Sequence, residues 1–367
     1  MRPESPTLTR TVLYIGRSRL HRRRANLLQT LHTCAALNQV GVPTVLELPP
    51  WHAIDVAAAL AGFGVEPTLP IRSRQLLHRR WPVGWFTRFH RRRLLRASAV
   101  YVRNPELSLA LSETGIPHHF EVHQVRSLAE CGWLDAVVRF HRAGIIRWLV
   151  PISQAAANAL TAAGADPARL HVAPSGVDTE LYQRVPPLRA DALTRMRALY
   201  IGRISRTRGL DVLRHLAARQ IAEIQLVGEQ EDALVPQSGL SLRDFVAPVH
   251  VPELYHDATV VLLPYQPDLP HGDAISPLKL FEAMAAGRPI IASDLPSIRE
   301  IIDHERTGLI VPATDLAAWE RAVERLRANP TFAVTLARNA RQAAEAYSWR
   351  SRAAGIAEHV GLPRSGP

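Results

Sequence analysis

Lysine is almost missing from this sequence. Of 44 Lys plus Arg among 367 residues, 43 are arginine and one is lysine, Lys279. Such a ratio reads as a coding bias that installs arginine wherever arginine suffices, and it leaves a single residue able to form a Schiff base. Cysteine is scarce too. Cys34 and Cys131, far apart in helical-looking surroundings, make no disulfide framework, which favours a reducing compartment. Nowhere do about 18 apolar residues run together, and the first ten residues hold no apolar core, so neither a spanning helix nor a leader is expected. The expected setting is cytoplasmic. No cluster has metal-ligand spacing, and there is no internal repeat or low-complexity segment.

What is present is the composition of a globular protein, 47% hydrophobic and 21% charged, long enough for two domains. Charge is divided unequally. Residues 1–150 carry 21 Arg against 9 Asp plus Glu, a net of +12, whereas residues 151–367 carry 23 basic against 24 acidic side chains, a net of −1. An excess confined to one half suggests a surface that meets phosphate, on lipid or on nucleic acid.

Short β-branched runs alternate with stretches of helical period. In the first half "TVLYIG", "PTVLEL", "AVYVRN", "HHFEVH" and "WLVPIS" each precede a helical stretch, and in the second "RALYIG", "AEIQLVG", "ATVVLLPY", "PIIAS" and "TGLIVP" do the same. Runs apolar on both faces, separated by helices, are the sequence form of parallel sheets covered on both sides. The fold class is therefore α/β, with two doubly wound Rossmann-like domains. The proline-bearing stretch "YQRVPPLRADALTRM" reads as a linker, giving a first domain over 1–182, a linker over 183–197 and a second domain over 198–346. The helical tail 347–367 is expected to pack back on the first domain.

Two stretches could handle an anion. In "SPLKLFEAMAAG" the sequence predicts a helix over 277–286, with Ser276 capping it and Pro277 at its first position. Lys279 and Glu282 then share a face near its amino end, where the helix dipole favours phosphate. Glu282, farther in, suits two neighbouring hydroxyls such as those of a ribose. The plainer alternative is a surface Lys–Glu pair. In "LYIGRISRTRGLDVL", Gly202 permits a tight turn, and Arg203 and Arg208 bracket the loop before the next helix, where two guanidiniums can clamp a diphosphate.

With "PISQAAANAL", "APSGVDTELY", "VVLLPYQPD", "SIREII", "TGLIVPATDLAAW" and "YSW" in the same order, these stretches make the chain resemble glycosyltransferase family 4, the retaining glycosyl transferases group 1 of GT-B fold. The resemblance runs over nearly the whole chain. It implies two domains facing a central cleft, the second holding a UDP- or GDP-linked sugar and the first a glycan or lipid-linked acceptor. It further implies transfer with retention and without metal or cofactor, the departing diphosphate being stabilised electrostatically by Arg203, Arg208, Lys279 and the helix amino end. Position by position, Gly16, Gly202, Ser276 and Leu278 would line the donor site. Glu282 matches the closing glutamate of the family's E-x7-E element, whose opening glutamate is replaced here by Ala274, with Asp273 next to it as a stand-in. His123 matches a histidine placed over the donor sugar. Arg17, Asn104 and Ser153 fall on the acceptor side.

Residues 72–96 hold nine arginines with Trp81, Trp85, Phe86 and Phe89 interleaved. That mixture suits the plane of an anionic membrane, hence a peripheral enzyme at the inner face, and it also fits a solvated helix pair. Nucleic acid is disfavoured as a partner because no recognition module accompanies the charge. Two other functions stay open. Another GT-B enzyme would be a nucleotide-sugar epimerase or a phosphorylase, whose pyridoxal-dependent kind needs Lys279 for itself. A non-catalytic sugar-nucleotide binder is suggested by Ala274.

Overall fold

The computed structural model describes residues 11–22, 24–232, 237–270 and 272–364, without the side chain of Asp273. The chain divides into two compact units, one built from residues up to Pro174 together with those from Trp349 onward, the other from Ser175–Ser348.

In the first unit β1 (Val12–Ile15), β2 (Thr44–Leu48), β3 (Ile71–Ser73), β4 (Ala99–Val102), β5 (His118–Val122) and β6 (Ile146–Pro151) form one parallel sheet in the order β3-β2-β1-β4-β5-β6. In the second, β7 (Arg197–Ile201), β8 (Glu223–Val227), β9 (Leu240–Arg243), β10 (Val260–Leu263), β11 (Ile290–Ser293) and β12 (Leu309–Val311) form another, β12-β11-β10-β7-β8-β9, also parallel. Counted within its own unit, each order is 3-2-1-4-5-6, the doubly wound arrangement. Its winding reverses between the first and fourth strands, and the loops leaving those two strands open a crevice there. β1, β2, β5 and β10 are buried along their whole length, as strands sandwiched between helix layers must be. The second sheet carries one apolar cluster on each face, the first around Phe281, Met284 and Tyr255, the other around Trp319, Leu213 and Leu226.

The units divide eight residues earlier than the sequence suggested. Residues 175–182 fall in the second unit, where the turn Thr179–Tyr182 packs against the helix Leu278–Ala285. The stretch taken as a linker is part of that unit as well: Val185, Leu188, Leu193 and Met196 are buried, and Arg341 and Arg288 donate to the carbonyls of Val185 and Pro186. Burial of these four side chains outweighs the proline and charge that made the stretch look solvated. The tail helix Trp349–Val360 lies on Ala25–Gln39 in the first unit. There Trp349 stacks on His32 at 5.2 Å, and Arg352 Nε donates to the Pro174 carbonyl at 2.8 Å. Among the described residues no helix is long and apolar enough to cross a membrane.

Candidate functional site

In the second unit the winding reverses between β7 and β10. The loop after β7 makes a sharp turn at Gly202, whose φ of 132° is open to glycine and disfavoured for other residues. A short 3₁₀ turn, Arg206–Arg208, follows, and the helix Leu210–Ala218 begins at Gly209 in left-handed conformation. A Cβ on Gly209 would run into the carbonyl of Pro264, the residue after β10, so glycine is what lets the two loops touch. Gln266 ties them further: its amide N–H donates to the Thr207 carbonyl at 2.9 Å and its side chain to that of Pro264 at 2.8 Å.

The β10 loop delivers the helix Leu278–Ala285, and Lys279 in its first turn turns back over the β7 loop. Its Nζ sits 4.0 Å from the ring centre of Tyr200 and 5.4 Å from that of Tyr265, close enough for cation–π attraction. A side chain at Gly202 would collide with that Nζ. Burial, then the neighbouring Arg208, pulls the lysine down to about 7, with Glu282 opposing. Glu282, one turn along, is pushed up to about 7 by burial, with Lys279 opposing.

Arg203 and Arg208 converge on Glu231 beyond β8, at 2.8 and 3.9 Å. The Tyr200 hydroxyl fixes the turn by donating to the Arg203 carbonyl at 2.6 Å. Four expected residues, Arg203, Arg208, Lys279 and Gly202, are thus brought together, with Glu282 beside them.

Ser276 does something other than expected. The helix starts at Leu278 with Pro277 in the capping position, and among the described residues no side chain caps it. Ser276 instead braces the loop: its hydroxyl accepts from the Ser175 amide at 2.8 Å and its carbonyl from the Ser175 hydroxyl at 2.7 Å. The extended backbone at Pro277 puts Ser276 one residue too far back to reach the helix amides, which leaves the first-turn N–H groups of Leu278 and Lys279 available to an anion. Asp273 lies outside the described residues as a side chain, and Ala274 ends a 3₁₀ turn, Gly272–Ala274. A separate cavity of about 820 Å³ opens at the opposite edge of this sheet, around Ala198, Ile224 and Leu240 where strands begin, and so away from any helix amino end following a strand.

The first unit has its own crevice at the corresponding place, where β1, β4 and β5 end. Gly16 closes β1 with its N–H on the Glu47 carbonyl at 2.9 Å, and a Cβ there would press on the Leu48 side chain at 3.0 Å. Asn104 caps the helix Pro105–Glu113 through a 2.9 Å bond from the Leu107 amide. Ser153 is buried and caps Gln154–Ala162 through the Ala156 amide, while Asn104 lines the cavity at this edge of the sheet. Arg17 pairs with Glu106 at 2.5 Å.

His123 ends β5. Its Nε2 donates to Glu121 at 2.6 Å, and its Nδ1, 3.4 Å from an Arg103 Nη, accepts from it. Both ring nitrogens are committed. Burial first and Arg103 second lower the imidazole to about 4, so it is neutral at physiological pH. Burial alone would raise Glu121, yet Arg352, His123 and Arg103 hold it well below the usual carboxylate range. Tyr101 at 2.9 Å and Arg352 at 2.9 Å complete its hydrogen bonds. Tyr200, Tyr265, Glu231 and Arg352 carry much of both constellations and were not singled out by sequence; only adjacency in the fold gives them a part.

The two sheets and their connections are those of the GT-B fold. Anabaena HepE solved with UDP superposes with a TM-score of 0.71 over 96% of this chain and 99% of its own at 16% identity, and sucrose-phosphate synthase from Thermosynechococcus elongatus with 0.73 over 96% and 98% at 16%. Residues 195–329, within the second unit, match the family model described as Glycosyl transferases group 1. Among curated proteins, the D-inositol 3-phosphate glycosyltransferase of Gordonia bronchialis is 28% identical over 214 residues, 51% of this chain and 45% of that one. The protein of the same name from Pseudarthrobacter chlorophenolicus is 30% identical over 236 residues, 58% and 54%. The chain spans about half the length of the curated relatives it matches.

Proposed function

We propose that the chain is a retaining, metal-independent glycosyltransferase that moves a sugar from a UDP- or GDP-linked donor to a glycan or lipid-linked acceptor. The observation that carries this reading is the meeting, at the crevice of the second sheet, of Lys279, Arg208, Arg203 and an uncapped helix amino end. That is a set of donors aimed at one place, which suits a leaving diphosphate whose negative charge grows as the glycosidic bond breaks. Removing one such donor from a preorganised site typically costs about 10²–10³ in turnover. Glu282 would take the ribose hydroxyls. The UDP and UDP-glucose named with the HepE structures support a sugar nucleotide as donor.

Residues 72–96 support a peripheral position at the inner face of a membrane. The helix Val83–Phe89 leaves Phe89 75% exposed and Trp85 43% exposed, while Trp81 stacks on Trp85 at 5.3 Å. Part of the strip has another task, for Arg74 and Arg93 both neutralise the buried Glu47. Cosedimentation with phosphatidylglycerol liposomes tests it, and binding indifferent to salt and lipid charge would count against it.

The experiment for the main reading is release of nucleoside diphosphate from a panel of nucleotide-sugars, with and without membrane extract as acceptor. Release that depends on acceptor is the expected result. Binding of nucleotide-sugar with no release under any condition would instead favour the non-catalytic alternative raised by Ala274.

A further inference from the structure

The cavity in the first unit, about 310 Å³, is walled by six arginines: Arg17, Arg19, Arg22, Arg24, Arg79 and Arg103. Four come from the loop after β1, and the fold adds Arg79 from the segment after β3 and Arg103 from the end of β4. Little of it is neutralised. Among the described residues, Arg17 alone of the six has a carboxylate within 4.0 Å, that of Glu106. Glu121 below the floor is already taken by Arg352, Tyr101 and His123. Arg103 is held in place by the Asn26 carbonyl at 2.8 Å and by His123, and the buried Arg17 Nε has no partner. Asn104 and Ser127 add neutral polar groups to the wall.

Five guanidiniums without a carboxylate around one crevice repel each other, and that arrangement is tolerated where a polyanion completes it. We infer that this cavity binds the phosphate of the acceptor: the acceptor is a phosphate ester or diphosphate, its anionic group gripped by Arg79, Arg103, Arg19, Arg22 and Arg24 while a hydroxyl is left for transfer. This rests on the glycosyltransferase reading for the word acceptor, but the anion site stands on the arginines alone. A soluble phosphate ester and a lipid headgroup offer the same chemistry.

The test is calorimetric titration of the full chain with inorganic pyrophosphate, with and without saturating UDP. The inference expects one salt-sensitive site that persists when UDP is bound, and weakening of about tenfold for each of Arg22→Gln and Arg79→Gln, since each removes one charge-assisted contact. UDP affinity and the melting temperature should stay unchanged in both, because neither arginine holds an ion pair among the described residues. Displacement of pyrophosphate by glycerol 3-phosphate would identify a soluble ester as the natural form, and displacement by phosphatidylglycerol vesicles but not by phosphatidylcholine would identify a headgroup. Absence of saturable pyrophosphate binding, or its full loss once UDP is bound, overturns the inference. The glycosyltransferase reading fails separately, if UDP does not bind while pyrophosphate does.

Discussion

Lys279 should bind the donor by taking up a proton. In the empty site its ammonium is pulled down to about 7 by burial and by Arg208. A diphosphate set against it reverses both causes, supplying negative charge and hydrogen-bond acceptors, so the bound lysine is charged throughout the neutral range. At about pH 8 roughly nine-tenths of empty sites then hold a neutral amine, and apparent affinity falls about tenfold from its value at about pH 6, equivalent to ~1.4 kcal/mol. A nucleotide-sugar is the right probe, because its diphosphate is esterified at both ends and does not titrate near neutrality. Calorimetry in two buffers of unequal ionisation enthalpy reads the uptake: close to one proton at about pH 8 and almost none at about pH 6. Lys279→Met should cut the uptake and the pH dependence to what Glu282, itself pushed up to about 7, contributes, and lower turnover by about 10²–10³. The sign for the empty protein follows from the same shift: an unfolded lysine, at 10.5, binds more proton than the folded one at about 7, so stability rises with pH across that window. Undiminished proton uptake by Lys279→Met would refute the assignment.

Three further outcomes are expected. Gly202→Ala should lose donor affinity by about tenfold or more while remaining folded, since its Cβ displaces the Lys279 ammonium and its φ of 132° disfavours alanine; nucleotide-sugar titration checks this. Arg352→Met should destabilise the first unit by about 3–5 kcal/mol, because it leaves the fully buried Glu121 carboxylate without its main partner and frees the tail helix from Pro174 and Thr33; urea unfolding followed by tryptophan fluorescence reads it. The first unit should also weaken in acid. His118 and His123, lowered to about 4 chiefly by burial, are neutral when folded, whereas their unfolded counterparts near 6.5 take protons first, so stability is lost as pH falls from about 6.5 to 4; melting curves that do not move across that interval would contradict it.

The interior strands were legible because burial on both faces leaves a nearly unbroken apolar run, as in Val12–Ile15 or Val260–Leu263. Two of the four edge strands were not. Ile71–Ser73 and Leu240–Arg243 pair on one side only, face solvent on the other, and so tolerate Arg72, Ser73, Ser241 and Arg243, which erase the signal. The proline-rich 183–197 stretch misled for the opposite reason: its four buried side chains follow no period of 2 or 3.6, and only tertiary contact makes them core. At the site, Lys279 was conspicuous by rarity and Gly202 by the turn it makes. Tyr200, Tyr265 and Glu231 lie on three different strands or loops, and nothing in sequence announces that β7 and β10 are neighbours. Ser276 was assigned a cap by pattern, but the helix begins one residue later than expected, with Pro277 in the capping position.

That rarity itself has a physical reason. Among the described residues arginine fills the other buried cationic positions, and in each the partner is permanent: Arg288 is held by the carbonyls of Tyr255, Pro186, Ala286 and Gly287, and Arg352 by Glu121, Thr33 and Pro174. A guanidinium cannot shed its charge, so it suits a place where its counterpart never leaves. Position 279 faces two aromatic rings and a glycine turn when empty, and it needs a positive charge only when an anion arrives. A lysine pulled down to about 7 can be neutral in the first state and charged in the second, and its compact head fits over Gly202 where a planar fork would not. On the proposed function, the sequence's strong preference for arginine gives way at a buried site whose counter-charge comes and goes with the donor.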